Sequence, residues 1–209
     1  MRAVIRTGGK PRGFLATALL ALWGCASGPA PIDHHYRIEV RAPSQPAAQR
    51  LPGTLQVDRL HADALAGERH ILYRRSGEQS EIHKHPYHHW SDPAEIFIQT
   101  ELVTVLDAAG AADVVMPANA RVQSDYLISG RLHDFERVLG DGVRVVVVLQ
   151  LSLTDSDGTV LIHQRYQEER EAANSKVAAS ADAFGEAVHA IFDRFVADLS
   201  SRSETTPTP

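Results

Sequence analysis

The chain has 209 residues, 44% hydrophobic and 22% charged, with 21 Lys and Arg against 26 Asp and Glu and a single Cys. That supplies one domain with a sizeable core, and the acidic balance argues against a surface made for nucleic acid. One Cys excludes a disulfide framework within the chain.

Arg2, Arg6, Lys10 and Arg12 precede an apolar run from Phe14 to Trp23 that is too short to cross a bilayer as a permanent helix. Small Gly24 follows, and the order basic, apolar, small is that of an export signal. The run ends at Cys25, and Leu22, Gly24 and Cys25 resemble the bacterial lipoprotein box, in which the thiol takes a diacylglycerol before cleavage; bulky Trp23 departs from it. An ordinary signal peptide with an incidental cysteine is the competing reading. The resemblance implies a signal peptide over 1–24, lipidation of Cys25, and a membrane attachment through that lipid alone. Ala26 rather than Asp follows the Cys, which for such lipoproteins implies the outer membrane, facing the periplasm. The leader holds four of the basic residues and none of the acidic ones, so the mature chain carries 17 against 26, a net −9.

Residues 25–35 are expected to form a flexible tether rich in small residues and proline, 36–200 one domain, and 201–209 a disordered polar tail. Tyr36 to Val40 alternates as a strand does, and Leu55, Val57 and Arg59 mark a second strand. Ile71–Arg75 and Glu81–His85 are predicted to be the exposed, polar arms of a hairpin. A helix is predicted from Asp92-Pro93-Ala94-Glu95, with Asp92 as cap, Pro93 at the first position and Glu95 completing a capping box. It should end near Ala109 with Gly110 as its stop, and Ile98, Leu102, Val105 and Leu106 should face the core.

Three segments, 124–137, 143–154 and 159–169, separated by Gly140-Asp141-Gly142 and Asp155-Ser156-Asp157-Gly158, are predicted to form an antiparallel meander. Val143, Val145, Val147, Leu149, Leu151 and Leu153 should face the core from the central strand, and Arg144, Val146, Val148, Gln150 and Ser152 a half-covered second face. From Lys176 to about Ser200, Val177, Ala181, Phe184, Val188, Ile191, Phe195 and Leu199 form a helical apolar stripe. The fold class is α+β, a mainly antiparallel sheet with two main helices packed on one face.

Chemistry is sparse. His83-Lys84-His85-Pro86-Tyr87-His88-His89 places two imidazoles on one strand face, but a built metal centre needs further ligands, so no metal or other cofactor is assigned. No nucleophile elbow, phosphate loop or His-Glu-x-x-His is present. Arg131, His133, Asp134 and Glu136 are read as the polar residues of a half-exposed strand. An enzyme is not expected.

Tyr87-His88-His89-Trp90-Ser91-Asp92-Pro93, with Tyr36-Arg37-Ile38, Ile71-Leu72-Tyr73-Arg74, Gly130-Arg131-Leu132-His133-Asp134-Phe135 and the last helix, resembles the ABC-type transport auxiliary lipoproteins, the group that includes paraquat-inducible protein C. The resemblance implies a non-catalytic subunit working with an MCE-type substrate-binding protein and its ABC permease and ATPase in lipid transport between membranes. Tyr87 and Trp90 are the candidate partner contacts, because large amphipathic rings anchor interfaces; packing of Trp90 over the first helix is the competing reading. Assembly into a homo-oligomer is open. Two other readings remain: an independent lipid carrier with a cavity lined by Val146, Val148, Phe184 and Phe192, and an envelope assembly factor.

Overall fold

The computed structural model describes residues 30–78, 80–119 and 121–202. The expected signal peptide, residues 25–29 of the tether with Cys25, and residues 203–209 of the tail lie outside the described residues. The chain divides after Ile32, and Asp33–Pro209 is one compact body.

Its long strands are β7 (Tyr126–Leu139), β8 (Val143–Asp155) and β9 (Val160–Glu171), the predicted antiparallel meander with register Leu132↔Leu149 and Leu149↔Tyr166. Shorter strands complete the sheet on the other side of β7. They are β1 (His34–Tyr36), β2 (Leu51–Val57), β3 (His61–Ala62), β4 (His70–Arg75), β5 (His83–Trp90) and β6 (Ala112–Pro117). β2, β3 and β4 each pair with β7 in parallel, β6 continues from β2, and β5 and then β1 continue from β4. The sheet is therefore mixed, with its longest ladders antiparallel.

Helices α1 (Ala94–Ala108) and α2 (Val177–Arg202) cover one face. Both predicted stripes are buried, as are Val145, Val147, Leu149, Leu151 and Leu153 beneath them, so sheet and helices share one continuous core. Val146 and Val148 join Val138 in a separate small cluster on the opposite face. No helix among the described residues is long and apolar enough to cross a membrane.

Gly110 stops α1 as predicted. It adopts φ +66, its N–H donates to the Asp107 carbonyl, and the Ala111 N–H reaches back to Leu106, the paired bonds of a Schellman cap. The start of α1 differs from expectation. Pro93 is itself the N-cap and no side chain caps the helix. Asp92 lies one residue too early to reach the free amides and accepts instead from the Ser91 hydroxyl at 3.0 Å.

Two strand expectations are also corrected. β1 ends at Tyr36, and residues 37–41 follow no ladder; the alternation arises because Ile38 and Val40 turn toward the core while the backbone crosses α2. That crossing requires Gly185, since a Cβ there would stand 2.8 Å from the Glu39 carbonyl oxygen. The hairpin of β4 and β5 forms, yet Ile71 and Leu72 of β4 are buried rather than exposed, because β4 is an interior strand between β5 and β7.

Candidate functional site: a histidine-rich edge over a buried arginine

β5 pairs with β4 at Tyr73↔His83, Leu72↔Lys84 and His70↔His89. Between the last two pairs β5 carries His85, Pro86, Tyr87 and His88 against the single residue Ile71 of β4. This bulge accommodates a proline that cannot donate to a ladder and pushes Tyr87 outward. Tyr87 has φ 60 and is 47% exposed, the only non-glycine with positive φ among the described residues.

Beyond the bulge β5 pairs in parallel with β1, His34↔His88, His35↔His89 and Tyr36↔Trp90. The rings pack together across this seam, face to face for His34 and His88, tilted for His35 and His89, and edge-on for His70 and His89. His34 lies 5.1 Å from His88, His35 5.6 Å from His89, and His70 4.7 Å from His89 on the other side. Tyr36 hydrogen-bonds with His88 Nδ1 at 2.9 Å. Burial, with help from His34, Arg137 and His89, holds the His88 pKa below its usual range.

Behind the edge, Arg137 of β7 is almost wholly buried at 2% exposure and makes no ion pair with a carboxylate among the described residues. Its Nε donates to Ser180 Oγ at 2.8 Å, one Nη donates to the Ser175 carbonyl at 2.9 Å, and the other donates to His85 Nε2. The accepting nitrogen must carry no proton, so His85 is neutral here. Desolvation first, then the Arg137 charge and His88, lower the His85 pKa from 6.5 to about 4. His83 and His85 do share a face, both lying against the Tyr73 ring at 5.0 and 4.4 Å.

Among the described residues, the nitrogens of these imidazoles do not come together as those of a chelate do. Where ligand-type atoms do come together, in Glu78, Glu81 and His83 within 4.8 Å of one another, both carboxylates are exposed and Glu78 pairs with Arg75 at 3.5 Å. Arg131 and His133 both bond Asp63, at 2.9 and 2.8 Å, and these bonds lower the Asp63 pKa; Glu136 pairs with Arg74. Of the four polar residues singled out on β7, Arg131 and His133 share one exposed carboxylate and Glu136 lies in a buried ion pair, so these three do not converge on one site.

The two candidate contacts part company. Trp90 is 1% exposed and packs against Phe97, Phe135 and Phe184 at 5.6, 5.2 and 5.3 Å. Its indole fills the core between sheet and helices and offers no surface, so Tyr87 alone remains available for contact. The carrier cavity is likewise corrected: Phe184 and Phe192 are in the main core, whereas Val146 and Val148 are across the sheet, and the four line no common space. A groove of about 760 Å³ runs between residues 37–41 and α2 and is lined by Arg37, Glu39, Arg41, Asp182 and Glu186 among others. Sequence reasoning missed Arg137, since a lone Arg in an alternating strand reads as solvent-facing; its alignment with core-facing Val145 was the available signal.

The body is thus α+β, with a main apolar core under the helices and a histidine-rich edge at β1 and β5. The family model for the ABC-type transport auxiliary lipoprotein component matches residues 36–196, and the chain belongs to that family. Among solved structures, protein XCC0632 from Xanthomonas campestris is 20% identical with a TM-score of 0.73, over 82% of this chain and 97% of its own. An uncharacterized protein is 12% identical with a TM-score of 0.61, over 83% and 99%. At these identities the likeness shows the fold. No curated protein matches.

Proposed function

We propose that this chain is an exported lipoprotein, with a signal peptide over 1–24, lipid on Cys25, a tether over 25–35, one domain over 36–200 and a free tail over 201–209. It is anchored in the outer membrane, faces the periplasm, and acts as a non-catalytic auxiliary subunit of an MCE and ABC-type lipid transport system. The observation that carries this reading is the family match beginning at Tyr36, eleven residues after Cys25. The body's part is to dock the MCE protein, whose permease and ATPase supply the energy. Association with further copies of the chain is compatible with that role.

Affinity purification of the membrane-extracted protein from its native cells, followed by mass spectrometry, tests the reading. The expected result is recovery of an MCE protein with its permease and ATPase, lost in Cys25→Ser. Recovery of stoichiometric lipid without those partners identifies a carrier instead. Other envelope proteins in their place identify an assembly factor.

A further inference from the structure

β1 is both the first element of the body and the point where the chain arrives from Cys25. Nine peptide steps separate Cys25 from His34, and fully extended they span about 30 Å. Whatever path the tether takes, an anchored body is held with β1 and its partner β5 within that distance of the bilayer.

This edge differs in balance from the chain as a whole, in which acidic residues outnumber basic ones by 26 to 21. β5 carries His83, Lys84, His85, His88 and His89 and no carboxylate, and β1 adds His34 and His35. The acidic groups in ion-pair range are few: Asp33 at 3.6 Å from His89, Glu68 at 2.6 Å from Lys84, and Glu81 at 3.4 Å from His83. At the apex stands Tyr87, held at φ 60 by the bulge with its ring nearly half exposed. An L side chain takes that backbone conformation only under constraint. Rings with an apolar body and a polar tip settle at the boundary between hydrocarbon and headgroups, and imidazole and ammonium N–H groups donate to phosphate oxygens there.

We propose that the β1–β5 edge, with Tyr87 at its apex, rests on the headgroup layer of the phospholipid bilayer that bears the anchor. This rests on the lipidation of Cys25 and names what Tyr87 touches. The tether favours the bilayer over a protein partner, because it limits how far this edge can stand from the membrane.

The lipidated full chain, reconstituted in vesicles of phosphatidylethanolamine and phosphatidylglycerol, tests the proposal with Tyr87→Trp as probe. Val160→Trp is the control, on the far edge strand and 58% exposed. The emission of Y87W is expected to shift to the blue in vesicles and to be lost when the acyl chains are brominated near the headgroup, with V160W unchanged from detergent. Hydroxyl-radical labelling of wild-type Tyr87, expected to fall in vesicles relative to detergent, gives the same reading without a substitution. Vesicle-bound, lipidated protein showing no protection at position 87, or equal quenching at both positions, overturns the surface assignment and leaves the anchor standing. Protection at 87 that appears only on adding an MCE protein overturns it in favour of that partner. An N-terminal peptide without a diacylglyceryl group on Cys25 by mass spectrometry removes the anchor, and the proposal with it.

Discussion

Acidifying the protein from pH 7 to 4 should weaken it through His85. The folded ring accepts from the Arg137 guanidinium, so a proton on Nε2 would both break that bond and set two cations together in a half-buried site. With a pKa of 6.5 unfolded and about 4 folded, the unfolded state binds more protons throughout that window. Stability is therefore full above pH 6.5 and falls as pH drops toward 4. The shift corresponds to a ceiling of about 3 kcal/mol, which solvent screening at a half-buried ring reduces to roughly 1–2 kcal/mol. Urea unfolding followed by circular dichroism at pH 7, 5.5 and 4 reads it, with His85→Gln as reference, since glutamine can accept from Arg137 at every pH. Carboxylates and His88 titrate in both proteins and cancel. Wild type should lose roughly 1–2 kcal/mol more than H85Q between pH 7 and 4. Parallel pH profiles for the two proteins would refute the reasoning.

Trp90→Ala should cost about 3–5 kcal/mol, the range for emptying a large buried aromatic site, seen as a lowered midpoint in thermal and urea unfolding; a loss under about 1 kcal/mol would contradict the packing against three phenylalanines. Gly185→Ala should cost roughly 1–3 kcal/mol, because the added methyl meets the Glu39 backbone at 2.8 Å. The same denaturation assay reads it, and a neutral or stabilising result would show that residues 37–41 move freely away from α2.

Periodicity made the meander and both helices legible because each presents a long, one-sided stripe to a shared core. Leu149 and Leu151 could hardly face elsewhere, and the stripe from Val177 to Leu199 fixes the buried side of α2. The short strands carry no such signal. Residues 112–117 of β6 alternate poorly, and the two residues of β3 form a strand only because β7 offers them partners. Residues 37–41 show the reverse error: alternation was present, but a helix rather than a neighbouring strand supplied the apolar surface. The sequence left Trp90 open between contact and packing for a related reason, since composition shows that a ring is large and amphipathic but not which way the strand turns it. The three extra residues that β5 inserts opposite β4 reset that direction between Tyr87 and Trp90.

Costs to stability gather in one part of the body. Arg137 is buried close to the start of α2, where the helix dipole disfavours a cation, and only neutral groups accept its bonds. His85 and His88 are held against protonation, and Tyr87 occupies a backbone region suited to glycine. All four meet at the β1–β5 edge, whereas the core between α1, α2 and β8 is apolar and closed. Glycine at position 87 would relieve the left-handed backbone, and an apolar residue at 137 would remove a desolvated charge. Conformational cost concentrated at an exposed edge points to contact there rather than to folding. The same edge stands at the end of the tether, where the first surface an anchored protein meets is its own membrane.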